Sequence, residues 1–218
     1  MNLLESLRWR YATKRMNGKK ITREKLDIIL EAIRLAPTSY GLQPFRVFVI
    51  QNEDLLKKIQ PIAMNQPQIT TCSHLLVFAA KLQLTQDDID AYIELIAKER
   101  NTTVESLLKF RHVILKTVLS KSDQAILDWN TRQTYIAMTH AIIAAATEKV
   151  DATPMEGFDP DQLDVLLGLN ELGLRSTVLL PLGYRDTELD SLAHQRKVRK
   201  PHLELFQYIT EDVDELVK

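Results

Sequence analysis

Two short cationic patches stand near opposite ends of the chain, Arg10 and Lys14 in one, Lys197 and Arg199 in the other. The chemistry open to such groups is the binding of an anion. On a helix, residues four apart share a face, and two cations so placed repel each other unless something negative lies between them. Lys197 and Arg199 point the same way if their segment is extended. Taken singly, each patch reads as a solvated face, the second lying in a run with Arg196 and Lys200. The glycines, at 18, 41, 157, 168, 173 and 183, build neither a GxGxxG fingerprint nor a Walker A loop. A bound phosphate would therefore be held by side chains and exposed backbone donors. HExxH, GxSxG and CxxC are absent, and the five histidines lack metal-ligand spacing, so no metal is expected. His140, on an apolar helical stripe, reads as a satisfied core residue. Cys72 reads as a small buried hydrophobe, and Asp87, Asp88 and Asp90 as the acidic start of a helix.

Composition bounds the class. With 218 residues, 45% hydrophobic content and a net charge of −1, the chain suits one domain over 1–218, or a subunit of a compact dimer. Roughly 70% of the unfolded surface should be buried on folding. The near-neutral balance gives no field for nucleic acid or an anionic membrane. A single cysteine rules out an intrachain disulfide framework. Residues 1–13 lack the continuous apolar core of a leader, and no stretch reaches the ~18 apolar residues of a membrane span. A cytoplasmic protein is expected.

The elements that must position these residues follow from periodicity. Residues 2–15 read as a first helix, with Leu3, Leu4 and Leu7 on one face. Thr22 caps a second helix carrying Leu26, Ile29, Leu30 and Ile33, which Pro37 terminates. Phe45–Ile50 and His74–Lys81 read as strands, the latter apolar enough to be buried on both faces. A short helix covers 54–59. Long helices fill 86–100, 104–119 and 122–150, with Ser122 as a cap and Ile136, Ala137, His140, Ala141 and Ala144 on one stripe. Asp159 followed by Pro160 starts a further helix; Gly168 and Gly173 mark turns. Ser176–Leu182 is a third strand, and 202–209 a fourth strand or an arm, before a solvated acidic tail from Thr210. Few strands and long helices without regular alternation give an α+β, three-layer fold.

Between the cationic patches lie Pro37-Thr38-Ser39-Tyr40-Gly41-Leu42-Gln43-Pro44 and Pro154-Met155-Glu156-Gly157-Phe158. Singly these are a helix-ending loop and a Pro-Gly turn. Together, in this order and spacing, the segments from Arg10 to Arg199 resemble the FMN-dependent nitroreductases, in particular the branch of oxygen-insensitive NAD(P)H nitroreductases and dihydropteridine-type reductases. The resemblance implies a central mixed or antiparallel sheet flanked by helices, in an intertwined homodimer. It implies FMN contacts from Arg10, Tyr11, Ala12 and Lys14, with Arg10 on the phosphate and Lys14 near N1 and the C2 carbonyl. Pro37, Thr38, Ser39 and Gly41 would approach a flavin held mainly by the other subunit. Asn65 would serve the pyrimidine edge. Gln68 stands where the family commonly has Lys, and Ala12 where it usually has Ser. Pro154, Met155, Glu156 and Gly157 would line one flavin face, with a backbone amide of Glu156 or Gly157 toward N5. Lys197 and Arg199 would complete the phosphate site. Lys14 and Glu156 are the implied catalytic positions.

The implied activity is ping-pong hydride transfer from NAD(P)H to a small electron-poor acceptor such as a nitroaromatic, a quinone or an activated enone. Phe110 and Leu115 of the helical middle are expected in the pocket wall. Reductive dehalogenation or flavin breakdown on the same fold, a flavin-binding protein without turnover, and a scaffold without cofactor are the other readings.

Overall fold

A computed structural model of the chain describes residues 2–209. Its elements are α1 (Leu3–Trp9), α2 (Arg23–Arg34), β1 (Phe45–Ile50), α3 (Glu53–Ile62), α4 (Gln68–Thr71), β2 (His74–Lys81), α5 (Gln86–Glu99), α6 (Leu108–Leu119), α7 (Asp123–Thr147), β3 (Asp151–Ala152), α8 (Pro160–Leu167), β4 (Leu174–Gly183) and α9 (His202–Leu205). The strands form one sheet in the order β1-β2-β4-β3, antiparallel at every junction.

Strand β2 explains the layering. Its side chains alternate between two faces, and both are covered. Leu76 and Phe78 join Val178, Leu180 and Leu182 of β4 in a core closed by α2 and α7. Leu75 and Val77 join Leu179 in a core closed by α3, α4 and α8. An antiparallel strand buried on both sides has no polar face, which is why His74–Lys81 reads as a continuous apolar run. On α7, Ala137, Ala141 and Ala145 meet Leu26, Ile29 and Ile33 of α2; the short side chains let the two helices approach. A third core joins α5, α6 and the start of α7 through Ile89, Ile93, Ile114, Val118 and Ile126.

Helix ends follow local chemistry. Ser122 caps α7 by accepting from the Ala125 amide at 3.3 Å. Asp159 caps α8 with Pro160 in its first turn, and Gly168 ends it in the left-handed region at φ 65°. Asp88 closes a capping box with Thr85 and pairs with Lys81, while Asp90 pairs with Arg111 at 2.8 Å. Among the described residues no cluster of acidic, histidine or cysteine side chains could hold a metal. None of their helices is long and apolar enough to cross a membrane.

Several expectations need correction. The first helix stops at Trp9, because Arg10 turns extended at φ −71°, ψ 145°, so Arg10 and Lys14 share no helical face. The fourth strand is the two-residue β3, and 202–209 carries the short helix α9 instead. The sheet is antiparallel throughout, one of the two forms that the resemblance implies. The 104–119 helix opens as a 3₁₀ turn at Glu105–Leu107, and the long helix ends at Thr147 because Lys149 takes φ 57°. Helix α3 runs on to Ile62. His140 is only half-buried, its Nδ1 lying 2.9 Å from the Ile136 carbonyl oxygen. Thr22 holds the cap position of α2 without a side-chain capping bond. The expected tail from Thr210 lies outside the described residues.

Candidate functional site

The segment that follows α1 leaves the helix at the extended Arg10, and it is fastened from behind. Asp190, 3% exposed, receives the Tyr11 hydroxyl at 2.9 Å, the Lys14 amide at 2.9 Å and the Thr13 hydroxyl, all on Oδ2. Its Oδ1 accepts from the Leu192 amide at 2.9 Å. Burial works to raise the Asp190 carboxyl pKa, but this set of donors outweighs it and holds the group below the usual carboxylate range. The Tyr11 phenol is pushed up to about 12, chiefly by burial. From the other side, the Thr13 carbonyl accepts from Thr153 Oγ1 at 2.9 Å and Gln68 Nε2 at 3.3 Å.

A cavity of about 420 Å³ opens in front of this segment. Arg10, Tyr11, Ala12 and Lys14 line it from one side, Lys197 and Arg199 from the other, with Pro154, Arg185 and Trp9 between. The two cationic patches therefore meet at one concave site. Burial lowers the Arg10 pKa, and Arg199 and Arg185 lower it further against the opposing pull of Asp151. Lys197 is lowered by burial, then by Arg10, Arg199 and Arg185. Arg10 Nε is buried without a hydrogen-bond partner among the described residues. Lys197 donates to the carbonyls of Leu7 and Arg8, where the negative end of α1 receives a cation. Arg185 is fixed by a fork onto Asp151, with Nη2 2.5 Å from Oδ1. Its guanidinium lies 4.2 Å from the Trp9 ring centroid and 4.4 Å from that of Tyr11. Cations gathered at this density, one with an orphaned buried donor, fit a multiply charged anion such as a phosphomonoester.

The 154–157 segment runs on from β3 along the edge of β4. Met155 is buried and bridges to Leu179 at the edge of β4, while Pro154 and Glu156 are exposed on the opposite side. Tyr135 of α7 donates to Glu156 Oε1 at 2.6 Å. The Tyr135 phenol is raised to about 12 by burial and by that bond. Gly157 serves the neighbouring turn: an added Cβ would lie 3.1 Å from Gln66 Nε2, and that amide donates to the Gly157 carbonyl at 2.9 Å.

Other candidates stand elsewhere in the single chain. Pro37, Thr38, Ser39 and Gly41 are not among the residues lining the cavity. Their loop rests on the helical layer, where Ser39 N donates to Gln133 Oε1 at 2.9 Å and Tyr40 meets Phe110 and Trp129 edge-on. Phe110 and Leu115 pack into the third core, away from the cavity. Asn65 lies on an exposed turn at φ 55°. Gln68 is buried behind Thr13.

Sequence reasoning passed over Trp9, Asp151, Arg185 and Asp190. Each sits alone in its local pattern, so no spacing rule marks it. The one available signal was Arg185 itself, a third arginine beside a segment already rich in cations.

Comparison with known proteins bears on the family and the fold. The sequence model of the nitroreductase family matches residues 7–184. A Staphylococcus haemolyticus protein, provisionally named an NAD(P)H nitroreductase, is 31% identical over 95% of this chain and 97% of its own length. The major NAD(P)H-flavin oxidoreductase of Aliivibrio fischeri is 30% identical over 91% of this chain and 94% of its own. Among solved structures, a nitroreductase-like protein of Exiguobacterium sibiricum crystallised with FMN superposes with a TM-score of 0.80, at 22% identity, over 96% of this chain and 98% of its own. With its layered antiparallel sheet, a match spanning most of its length and close relatives along nearly all of it, the chain belongs to the nitroreductase family.

Proposed function

We propose that the chain is an FMN-dependent NAD(P)H oxidoreductase that reduces nitroaromatics, quinones or related electron-poor acceptors. The observation that carries this reading is the convergence of Arg10, Lys197 and Arg199 on one cavity that Lys14 and Pro154 also line. FMN phosphate carries about −1.5 to −2 charge near neutral pH, and each hydrogen bond to such a group contributes about 1.5–3 kcal/mol. That is enough to offset the mutual repulsion of the cations. Bound here, FMN supplies hydride exchange between NAD(P)H and the acceptor.

The chain's own residues bind and orient. Arg10 and Arg199 would offer their guanidinium groups to the phosphate, with Lys197 beside them. Lys14 brings an ammonium into the same cavity and favours an electron-rich ring. The 154–157 segment presents backbone at its wall, and Tyr135 fixes the Glu156 carboxylate. Ala12 lines the cavity as a methyl; the Asp190 and Thr153 bonds supply the order that a hydroxyl there would add.

A homodimer with shared sites accounts for the 37–44 loop standing off the cavity of its own chain. Every described residue from His194 to Ile209 is exposed, including Leu203, Phe206, Tyr208 and Ile209. An arm of that kind suits a second copy.

The test is a visible spectrum of the purified protein followed by anaerobic titration with NADH and NADPH separately, then reoxidation with menadione or nitrofurazone. Flavin absorption that bleaches and returns is the expected result. Colour that never bleaches leaves a flavin-binding protein without turnover, and a colourless protein indifferent to added FMN refutes the assignment.

A further inference from the structure

The cations that face the cavity come from segments nearly the whole chain apart, Arg10 and Lys14 on one, Lys197 and Arg199 on the other. Neither segment has a core of its own. Residues 10–14 form neither helix nor strand, and every described residue beyond Ala193 is exposed. Something must fix their relative position. Asp190 does not line the cavity, yet it touches both sides of the joint. Oδ2 receives Tyr11, Thr13 and the Lys14 amide, and Oδ1 receives Leu192, the turn that leads into 195–199.

We propose that Asp190 is a positioning residue for the phosphate site: its buried carboxylate locks the Tyr11–Lys14 segment to the 190–193 turn and so sets the spacing of Arg10 and Lys14 against Lys197 and Arg199. This rests on the proposed binding of FMN. A carboxylate suits the task because it only accepts, and donors converge on it from both segments. An asparagine replaces it only in part. With its amide turned toward Tyr11, Thr13 and Lys14 it opposes the Lys14 N–H; with its amide turned toward Leu192 it opposes that N–H and holds the other three donors by a neutral, weaker acceptor. Either orientation leaves a donor opposed by a donor and loosens the joint.

The experiment compares full-length wild type, Asp190→Asn and Thr13→Val for binding of FMN and of riboflavin, which lacks the phosphate, by flavin fluorescence quenching. A positioning role predicts that D190N loses about tenfold or more of the preference for FMN over riboflavin, the factor that one charged hydrogen bond carries, with riboflavin affinity falling less than FMN affinity because only Lys14 of the displaced cations faces the ring. T13V, which removes one donor and keeps the charge, should lose a smaller part of that preference. A folded D190N with the wild-type preference overturns the proposal. Should D190N fail to fold, T13V decides: an unchanged preference overturns the proposal and a reduced one supports it. Equal losses for both flavins indicate general loosening and also overturn it. A wild-type chain with no preference for FMN over riboflavin overturns the phosphate-site reading beneath it, an outcome visible before any variant is made.

Discussion

Replacing Arg199 by alanine should move binding and stability in opposite directions. In the free chain, Arg199 is one of the charges that hold the Arg10 and Lys197 pKa values below their ordinary range. Among the described residues its own Nη1 reaches only the neighbouring Val198 carbonyl, at 2.6 Å, so removing it breaks no tertiary bond within them. An exposed charge of this kind contributes about 0–1 kcal/mol either way. Relief of repulsion should therefore raise the melting temperature of the flavin-free protein by no more than about 4 °C. Binding is different, because the phosphate loses a charged hydrogen bond of about 1.5–3 kcal/mol. At about 1.4 kcal/mol per factor of ten, FMN affinity should fall about ten- to hundredfold. Riboflavin affinity should hardly change, since that ligand has no phosphate. Fluorescence titration with both flavins, at low and high salt, measures the difference, and thermal unfolding without flavin measures the stability. High salt should weaken FMN binding to wild type more than to the variant. Wild-type FMN affinity in R199A, or equal losses for FMN and riboflavin, would refute the placement of the phosphate between the two chain ends.

His74 and Gly41 supply two tests of the fold that presents the site. Burial first, then Lys20, lowers the His74 pKa, so the folded chain resists the proton that the unfolded chain accepts near pH ~6.5. Stability is complete above that pH and should decline as the pH falls below it toward the depressed folded value; urea midpoints between about pH 8 and pH 5 should show the decline in wild type and less of it in His74→Gln. Gly41 sits at φ +79°, and an added Cβ would lie 2.2 Å from Tyr92 Oη, the atom that donates to the Tyr40 carbonyl at 2.6 Å. Gly41→Ala should cost about 2 kcal/mol, from the left-handed backbone and the displaced hydroxyl together. In a Tyr92→Phe background the same change should cost less; an equal cost in both backgrounds would show that the hydroxyl is not the obstacle.

Legibility depended on whether the deciding contact was local. Strand β2 can be read to the residue because its partners cover both faces, so an unbroken apolar run is its signature. The start of α8 is equally plain, since Asp159 and Pro160 perform their roles within one turn. Helix α1 is the instructive failure. Nothing between Arg10 and Lys14 forbids a helix, and the spacing of Leu3, Leu4 and Leu7 invites one. The chain leaves the helix where Asp190, 176 residues from Lys14, offers its carboxylate to Tyr11, Thr13 and the Lys14 amide instead. Strand β3 escaped for a different reason: Asp151–Ala152 is too short to display alternation, and only its pairing with Gly183 and Leu182 makes it a strand.

The candidate site divides along the same line. Excess charge is written in residue types, so Arg10, Lys14, Lys197 and Arg199 can be suspected before any fold is known. What holds charge in place is not. Arg185 is a lone arginine until it forks onto Asp151 and lies against Trp9 and Tyr11. Gln68 stands where the family resemblance leads one to expect a cation; in the structure it is buried and supports the Thr13 carbonyl. The difference has a physical cause. A ligand-binding cation must remain unpaired within its own chain, and an unpaired cation is visible as an unexplained charge. A residue that positions it must be fully paired, and a paired residue of ordinary type leaves no excess for a sequence to reveal. The 37–44 loop is a third case. Its turn residues are legible, but its relation to a cavity lined by other segments of the same chain would, in the homodimer proposed above, turn on how two copies assemble, which no spacing within one copy encodes.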